Sequence, residues 1–257
     1  MKLAILISSD HTFPKQQVKT ACRLAKRLSV PLTGIISTEH STNYHLVGDG
    51  GYLAMMDEVS DIARQKLQKS IDKFKSVCAD EKVAQDWSGT YGFIRHEWET
   101  LSPYFDLAIT TGDFSAPEFA GVGISATLQI NETSKIDGFD SRCVIAWDGS
   151  LQAGRAIRAA LPLMTRFADV VVISIDAESR SLPTDIGSYL AAHGIKAEIL
   201  SLVSGGDTVA HVLLDESRNA DLVVMGAYGF SSTLEKWFGG VTETMRTECK
   251  TPVLFAR

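Results

Sequence analysis

The feature that most constrains the fold is a regular alternation of short apolar runs with amphipathic segments. The run Leu3–Ser9 is typical of a buried strand, and apolar residues then recur every three or four positions over 18–28, as in an amphipathic helix. The same order returns at Cys143–Trp147 and 153–167. Strands that alternate with helices predict parallel sheets with helices on both faces and right-handed crossovers.

This alternation runs through the whole chain. The predicted strands are 3–9, 32–38, 83–87, 106–111 and 126–130, then 143–147, 170–175, 196–202, 222–225 and 252–256. The predicted helices are 18–28, 57–77 and 93–101, then 153–167, 186–193, 209–217 and one that begins at Val241. Residues 39–56 show no clear period and predict a long loop.

The two halves of the chain echo each other. In the repeat, Leu6–Asp10 corresponds to Ile145–Asp148, and Phe105–Ile109 corresponds to Ala220–Val224. The polar segment 131–141 suits a linker. We therefore predict an α/β protein with two doubly wound parallel-sheet domains in tandem, at residues 1–135 and 142–257.

Composition and charge exclude several classes of function. With a formal net charge of −6, the 257-residue chain lacks the basic surface that nucleic acids or anionic membranes favour. No apolar run reaches the roughly 18–20 residues that span a bilayer, and Met1–Ile7 is too short for a signal peptide. Four widely spaced cysteines predict reduced thiols, so we expect a cytoplasmic protein.

A glycine-rich segment follows the predicted strand 222–225. Its glycines are Gly226, Gly229, Gly239 and Gly240, and the last predicted helix begins directly after them. Glycine permits positive φ and close backbone approach, and a helix N-terminus offers free N–H groups to an anion. The segment predicts a phosphate cradle, although glycines after a strand also occur simply as turns.

An acidic residue, Asp148, ends the first strand of the second half. Ligands of doubly wound sheets bind at the carboxyl ends of the strands, where the strand order reverses. If the reversal lies between the strands at 143–147 and 222–225, Asp148 and the glycine segment face one crevice. Asp148 could then bind a ribose or an amine, and it could equally cap the helix that follows.

Other motifs carry less weight. The P-loop pattern is absent, and Gly121–Ala126, which matches G-x-G-x-x-A, leads into a predicted strand rather than a helix. His11, His40 and His45 could gather around a metal, but a solvated loop accounts for them far better. We predict no metal site and no catalytic triad.

The glycine spacing resembles the nucleotide motif of the universal stress protein family, G-2x-G-9x-G-[S/T]. The likeness covers Val144–Phe255 and includes Trp147–Ser150 after the first strand, whereas the first half resembles the family only in its order of strands and helices. The resemblance implies a tandem two-domain member with a Rossmann-like fold of the adenine nucleotide alpha hydrolase type.

What the resemblance implies about the site can be stated residue by residue. Asp148 would contact the adenosine, Ile175 the adenine edge through its backbone, and Gly226 the ribose. The phosphates would meet the following residues: Gly229, Gly239, Gly240 and Val241. Gly240 replaces the family's Ser or Thr, so Thr242 would have to supply the missing oxygen.

The first half departs further from the motif. Asp10 is present, but Thr110–Asp113 leads into no comparable glycine segment. We expect this half to complete an intramolecular pseudo-dimer through its last strand. The sequence also leaves open that two copies of the chain form a homodimer.

Three functions follow from these observations. The first is a cytoplasmic stress-response sensor or regulatory module that binds ATP, with or without Mg²⁺, and acts on an unknown protein partner. Because no general base or nucleophile is evident, any ATP hydrolysis should be slow. The second is an interaction module that has lost nucleotide binding. The third is an enzyme that handles adenylates.

Overall fold

The computed structural model describes most of the chain. It covers residues 1–38, 49–111, 114, 116–119, 126–132, 134, 138–176, 185–227 and 235–257, and for 49–60, 118 and 235–239 it describes the backbone alone. The strands are β1 Leu3–Ser8, β2 Leu32–Thr38, β3 Gln85–Tyr91, β4 Leu107–Thr110, β5 Ala126–Gln129, β6 Arg142–Ala146, β7 Asp169–Ile175, β8 Glu198–Leu202, β9 Leu222–Gly226 and β10 Val253–Ala256. The helices are α1 Lys15–Leu28, α2 Asp49–Asp80, α3 Ile94–Leu101, α4 Ala116–Phe119, α5 Leu151–Met164, α6 Ile186–Ala192, α7 Val209–Ser217 and α8 Glu235–Glu248, with a 3-10 turn at Ser102–Tyr104.

All ten strands belong to one sheet, in the order β3-β2-β1-β4-β5-β10-β9-β6-β7-β8. Within each half every neighbouring pair is parallel. The predicted α/β class is therefore confirmed, and the two parallel halves form one continuous sheet. The division into domains 1–135 and 142–257 remains a prediction.

The two halves join through their last strands. Strand β5 pairs antiparallel with β10, with Leu128 opposite Leu254 and Thr127 opposite Phe255. Side chains of the first half also bind backbone of the second, since the amides of Gln129 and Asn131 donate to carbonyls near the end of α8. The predicted pairing through the last strands is thus present in the sheet.

Each half reverses its strand order beside its first strand. Strand β1 lies between β2 and β4, and β6 lies between β7 and β9. The connections that follow the two neighbouring strands therefore run in opposite directions from the first strand. They leave a crevice between them at the carboxyl ends of the strands. The reversal between 143–147 and 222–225, on which the sequence analysis made the site depend, is present.

The central strands of the sheet are buried on both faces, as their almost uninterrupted apolar runs require, whereas the edge strands β3 and β8 are largely exposed. Helices α1, α2 and α5 pack on one face, with Phe74 and Ile157 among the buried contacts. Helices α7 and α8 cover the other face of the second half, and α3 and α4 cover that face of the first half, around Trp98.

The observed elements differ from the predicted ones at four places. Residues 49–56 are helical rather than part of a loop, because α2 begins at Asp49; the rest of the predicted loop, 39–48, lies outside the described residues. The adjacent Gly50 and Gly51 led to the prediction of a loop at the start of this helix, because glycine is a poor helix former. Strand β3 is displaced from 83–87 to 85–91; as an edge strand it is mostly exposed and lacks an apolar run. The short helix α4 was not predicted.

The fourth difference concerns the last helix. It begins at Glu235, so the prediction of a start at Val241 is wrong. Gly239 and Gly240 lie inside its second turn, where the sequence pattern had indicated a break. Glycine lowers helix propensity by about 1 kcal/mol relative to alanine, which is a weak preference that tertiary packing can override.

Candidate functional site

A cleft opens at the carboxyl ends of β6, β7 and β9, at the reversal of strand order. It lies on the face that α7 and α8 cover, and it measures about 110 Å³. The residues that line it are Ala146, Trp147, Asp148, Ser150, Gln152, Ile173, Ile175, Val209, Leu213, Met225, Gly226, Val241 and Thr242. The cleft thus sits where the sheet topology predicts a ligand site.

Five of the eight predicted site residues line this cleft: Asp148, Ile175, Gly226, Val241 and Thr242. Gly229 lies outside the described residues. Gly239 and Gly240 lie within α8, and Gly240 is exposed, with no atom within 4 Å of where its Cβ would be. The structure therefore brings the predicted adenosine contacts together and separates Gly240 from the cleft.

Asp148 is held by the turn between β6 and α5. Its Oδ1 accepts the N–H of Ser150 at 2.9 Å, and Gly149 between them has φ +75°, a conformation that favours glycine. The side chain of Ser150 caps α5 by accepting the N–H of Ala153 at 3.1 Å. Capping, one of the two roles predicted for Asp148, belongs to Ser150. The Asp148 carboxylate is exposed, and its other oxygen, Oδ2, accepts no hydrogen bond from a described residue. This oxygen is therefore available to a donor on a ligand.

Gly226 has a packing role that the sequence did not indicate. A Cβ at this position would lie 2.7 Å from the backbone N of Ala153 and 2.9 Å from the Cβ of Gln152. Glycine is therefore required for the first turn of α5 to rest against the end of β9. This close approach brings the β6–α5 turn, with Asp148, to the edge of the cleft.

The start of α8 changes the expected phosphate site. Only the first four N–H groups of an α-helix lack an intrahelical acceptor. In a helix that begins at Glu235, those groups precede Gly239, so the N–H groups of Gly239, Gly240 and Val241 lie within the hydrogen-bonded part. Thr242 is 2% exposed and borders the cleft from the same helix.

The inner wall of the cleft is apolar, and of its residues the sequence reasoning had named only Ile175. Ile173 and Ile175 are two positions apart on β7 and share one face of the sheet, and Met225 adds the end of β9. Val209 and Leu213 face them from α7. The two-residue spacing at the end of β7 could have indicated these strand residues, whereas the α7 contribution depends on tertiary packing.

The residue that follows Ile175 fixes the end of β7. Asp176 adopts φ +50°, in the left-handed region that Asp tolerates better than most residues. Its Oδ1 accepts the N–H of Ser204 at 3.0 Å, and hydrogen bonds from the Ser204 hydroxyl and N–H lower the pKa of Asp176. This link ties the end of β7 to the segment after β8, beside the cleft.

The corresponding acid in the first half has different surroundings. Asp10 follows β1, and its Oδ1 accepts the hydroxyl of Thr38 at 3.2 Å and lies 3.4 Å from the ammonium group of Lys66, on α2. Its carboxylate is thus already engaged by residues of the same chain. The two acids of the repeat are not equivalent in their bonding.

Among the described residues there is no group of three or more His, Cys, Asp or Glu side chains that could hold a metal ion. His40 and His45, considered as ligands, lie outside those residues, as do Gly121–Ser125. In the described part of the chain, no helix combines the length and the apolar character that crossing a membrane requires.

Comparison with known proteins identifies the second half most clearly. Residues 176–257 match the model of the universal stress protein family, so the resemblance drawn from the glycine motif is confirmed over that segment. No curated protein sequence matches the chain.

Solved structures resemble the chain along its whole length. A universal stress protein from Archaeoglobus fulgidus is 17% identical with a TM-score of 0.66, and the alignment covers 99% of this chain and 98% of that one. A putative universal stress protein from Pseudomonas aeruginosa is 11% identical with a TM-score of 0.54, over 99% and 92%. A functionally unknown protein from Pseudomonas aeruginosa PAO1 is 11% identical with a TM-score of 0.53, over 100% and 92%. At these identities the likeness shows a shared fold, present in both halves.

Proposed function

We propose that the chain is a tandem universal stress protein that binds ATP in the cleft of its second half and acts as a regulatory module in the response to stress. The observation that carries the proposal is the convergence of Asp148, Ile175 and Gly226 on one cleft at the strand reversal. The match of residues 176–257 to the family model supports it. We further propose that it acts in the cytoplasm, on a protein partner still to be found.

The adenosine part of the nucleotide fits the described half of the site. Ile173, Ile175 and Met225 provide an apolar surface for a flat base, and polar groups at the rim would fix its orientation. Asp148, whose Oδ2 has no donor among the described residues, would accept a ribose hydroxyl. Such a hydrogen bond to a charged group contributes about 1.5–3 kcal/mol.

The phosphate part requires a change in α8. We propose that the first turns of this helix unwind when ATP binds, so that N–H groups of Gly239, Gly240 and Val241 reach the phosphates, with Gly229 and Thr242 beside them. Two consecutive glycines lower the stability of these turns by roughly 2 kcal/mol relative to two alanines, and this lowers the free-energy cost of unwinding by the same amount. Mg²⁺, if bound, would be held mainly by the phosphates, because the described residues offer no cluster of metal ligands.

The matched acids of the two halves provide the test. ATP binding is measured by calorimetry with magnesium on the wild type, on Asp148→Ala and on Asp10→Ala. We expect Asp148→Ala to weaken binding by about 10- to 100-fold, the equivalent of the lost hydrogen bond. Asp10→Ala should bind as the wild type does, since Asp10 already contacts Lys66 and Thr38.

Each outcome decides between the candidate functions. No heat of binding with any of the three proteins would reject the nucleotide proposal and favour an interaction module of the same fold. An equal loss of ATP affinity in Asp148→Ala and Asp10→Ala would mean that the nucleotide does not bind specifically in the cleft beside Asp148. Rapid release of phosphate or transfer of adenylate would point instead to an enzyme, which the absence of an evident nucleophile in the described cleft does not favour.

A second variant tests the unwinding of α8. Because the Cβ of Gly240→Ala would meet open space, this change should stabilise the helix without blocking the cleft. If ATP must unwind the helix, affinity should fall by up to about fivefold, the equivalent of ~1 kcal/mol of helix propensity. The backbone carbon chemical shifts of residues 235–241 should also move away from helical values when ATP binds; helical shifts that stay unchanged would reject the unwinding step.

A further inference from the structure

Two cysteines that are far apart in sequence meet between α1 and α2. The Sγ atoms of Cys22 and Cys78 are 3.6 Å apart, and both side chains are fully buried. The two thiols are free and share a hydrogen bond. The sequence spacing gave no sign of this contact, because the cysteines lie on different helices that pack together on one face of the first half.

The geometry permits a covalent bond between these sulfur atoms. A disulfide has an S–S distance of about 2.05 Å, so the sulfurs would have to approach by roughly 1.5 Å. The two sulfurs already face each other in a hydrogen bond, so this approach is the movement that bond formation requires. Ala21 and Ala25 of α1 are buried in the same apolar cluster as the two cysteines.

The shared hydrogen bond distinguishes the two thiols. Either sulfur can be the donor; when the Cys22 thiol donates, the bond stabilises the Cys78 thiolate, which lowers the pKa of Cys78 and raises that of Cys22. Since the thiolate is the nucleophile, Cys78 is in that arrangement the sulfur that reacts first, and the variants below test this order. Burial raises the pKa of Cys143 and of Cys249, which disfavours reaction at those positions.

We propose that Cys22 and Cys78 form a reversible intramolecular disulfide when the protein is exposed to hydrogen peroxide. The Cys78 thiolate attacks one peroxide oxygen, the O–O bond breaks, and a sulfenic acid and hydroxide are formed. The Cys22 thiol then attacks the sulfenic sulfur, the S–O bond breaks, and the hydroxyl group takes the thiol proton to leave as water. The two thiols lose two electrons, and the peroxide is reduced to two molecules of water.

The disulfide would join α1 to α2 across 56 positions of the chain. Lys66, which contacts Asp10 at the carboxyl end of β1, lies on the same helix as Cys78. Oxidation would therefore tie to α1 the helix whose Lys66 contacts Asp10. Because both sulfurs are buried, peroxide must reach them through local opening, so we expect a slower reaction than for an exposed thiol.

Mass spectrometry of the intact folded chain tests the proposal. The protein is treated with hydrogen peroxide, its remaining thiols are alkylated, and it is digested with trypsin. We expect a linked species made of peptides Thr20–Arg23 and Ser76–Lys82, lighter than the sum of the two thiol peptides by two hydrogen atoms, and lost after treatment with dithiothreitol. The oxidised protein should also melt at a higher temperature than the reduced protein.

Variants assign the order of attack. In Cys22→Ser, oxidation should stop at a sulfenic acid on Cys78 that dimedone captures, and Cys22→Ala replaces this variant if the serine protein does not fold. In Cys143→Ala the Cys22–Cys78 link should form as in the wild type. The proposal is overturned if peroxide oxidises the folded wild type without forming the link, if the link forms only in denaturant, or if no oxidation occurs at concentrations that fully oxidise free glutathione.

Discussion

Replacing Gly226 by alanine should weaken the fold through one contact that the structure defines. The new Cβ would lie 2.7 Å from the backbone N of Ala153, whereas an ordinary van der Waals separation is ~3.5 Å. The first turn of α5 would have to withdraw from β9 by about 0.8 Å, and this contact is with backbone rather than with the end of a flexible side chain. We expect the free energy of unfolding to fall by about 1–3 kcal/mol, the usual cost of overpacking.

The control is the same substitution at another glycine of the same motif. The Cβ of Gly240→Ala would contact nothing within 4 Å, and its backbone is not in the left-handed region. This variant should therefore gain about 0.5–1 kcal/mol from helix propensity. Urea unfolding of both variants and of the wild type, followed by circular dichroism, measures the two changes. The reasoning is refuted if Gly226→Ala loses less than ~0.5 kcal/mol, or if the two variants change in the same direction.

Three further changes test local contacts by the same unfolding measurement. Ser150→Ala removes the N-cap of α5 and should cost about 0.5–2 kcal/mol; no loss would mean that the bond at 3.1 Å contributes little. Asn131→Ala leaves the carbonyl of Cys249 without its side-chain donor, whereas Gln129 still donates to that of Arg246, and should cost about 1–3 kcal/mol; an unchanged stability would contradict a role of this amide in joining the halves. The N–H of Ser188 holds the pKa of Asp185 below its unfolded value of about 3.9, so its stabilisation is present above about pH 4 and is lost as the pH falls through the folded pKa. The stability difference between wild type and Asp185→Asn should therefore shrink with acid; a constant difference from pH 6 to pH 2.5 would contradict this.

The core of the fold was predictable because its strands are buried on both faces. Leu3–Ser8 and Leu222–Gly226 are continuous apolar runs between turn residues, and such runs identify strands of a parallel sheet. Helix α7 was predicted over the observed 209–217, and the structure adds that Thr208 caps it. The strand reversal entered the sequence analysis only as a condition, because the order of strands along the chain does not fix their order in the sheet.

The remaining features depend on contacts that the sequence does not display. The glycine pair at 239–240 indicated a break, but the structure continues the helix through it. The apolar wall of the cleft is divided between β7, β9 and α7, so no local pattern marks its members as a group. Gly226 was assigned to ligand binding on its motif, and only the position of α5 revealed its packing role.

The central position of β10 imposes an order of events on biosynthesis. Its partner β5 leaves the ribosome first, and roughly 6–25 s pass before residues 253–256 are made, at 5–20 residues per second. Throughout that interval the nascent first half presents an unpaired strand edge in what will become the middle of the sheet. Chaperones that recognise exposed β-edges should therefore engage this protein while it is still attached to the ribosome, and slow codons in its second half should prolong that engagement.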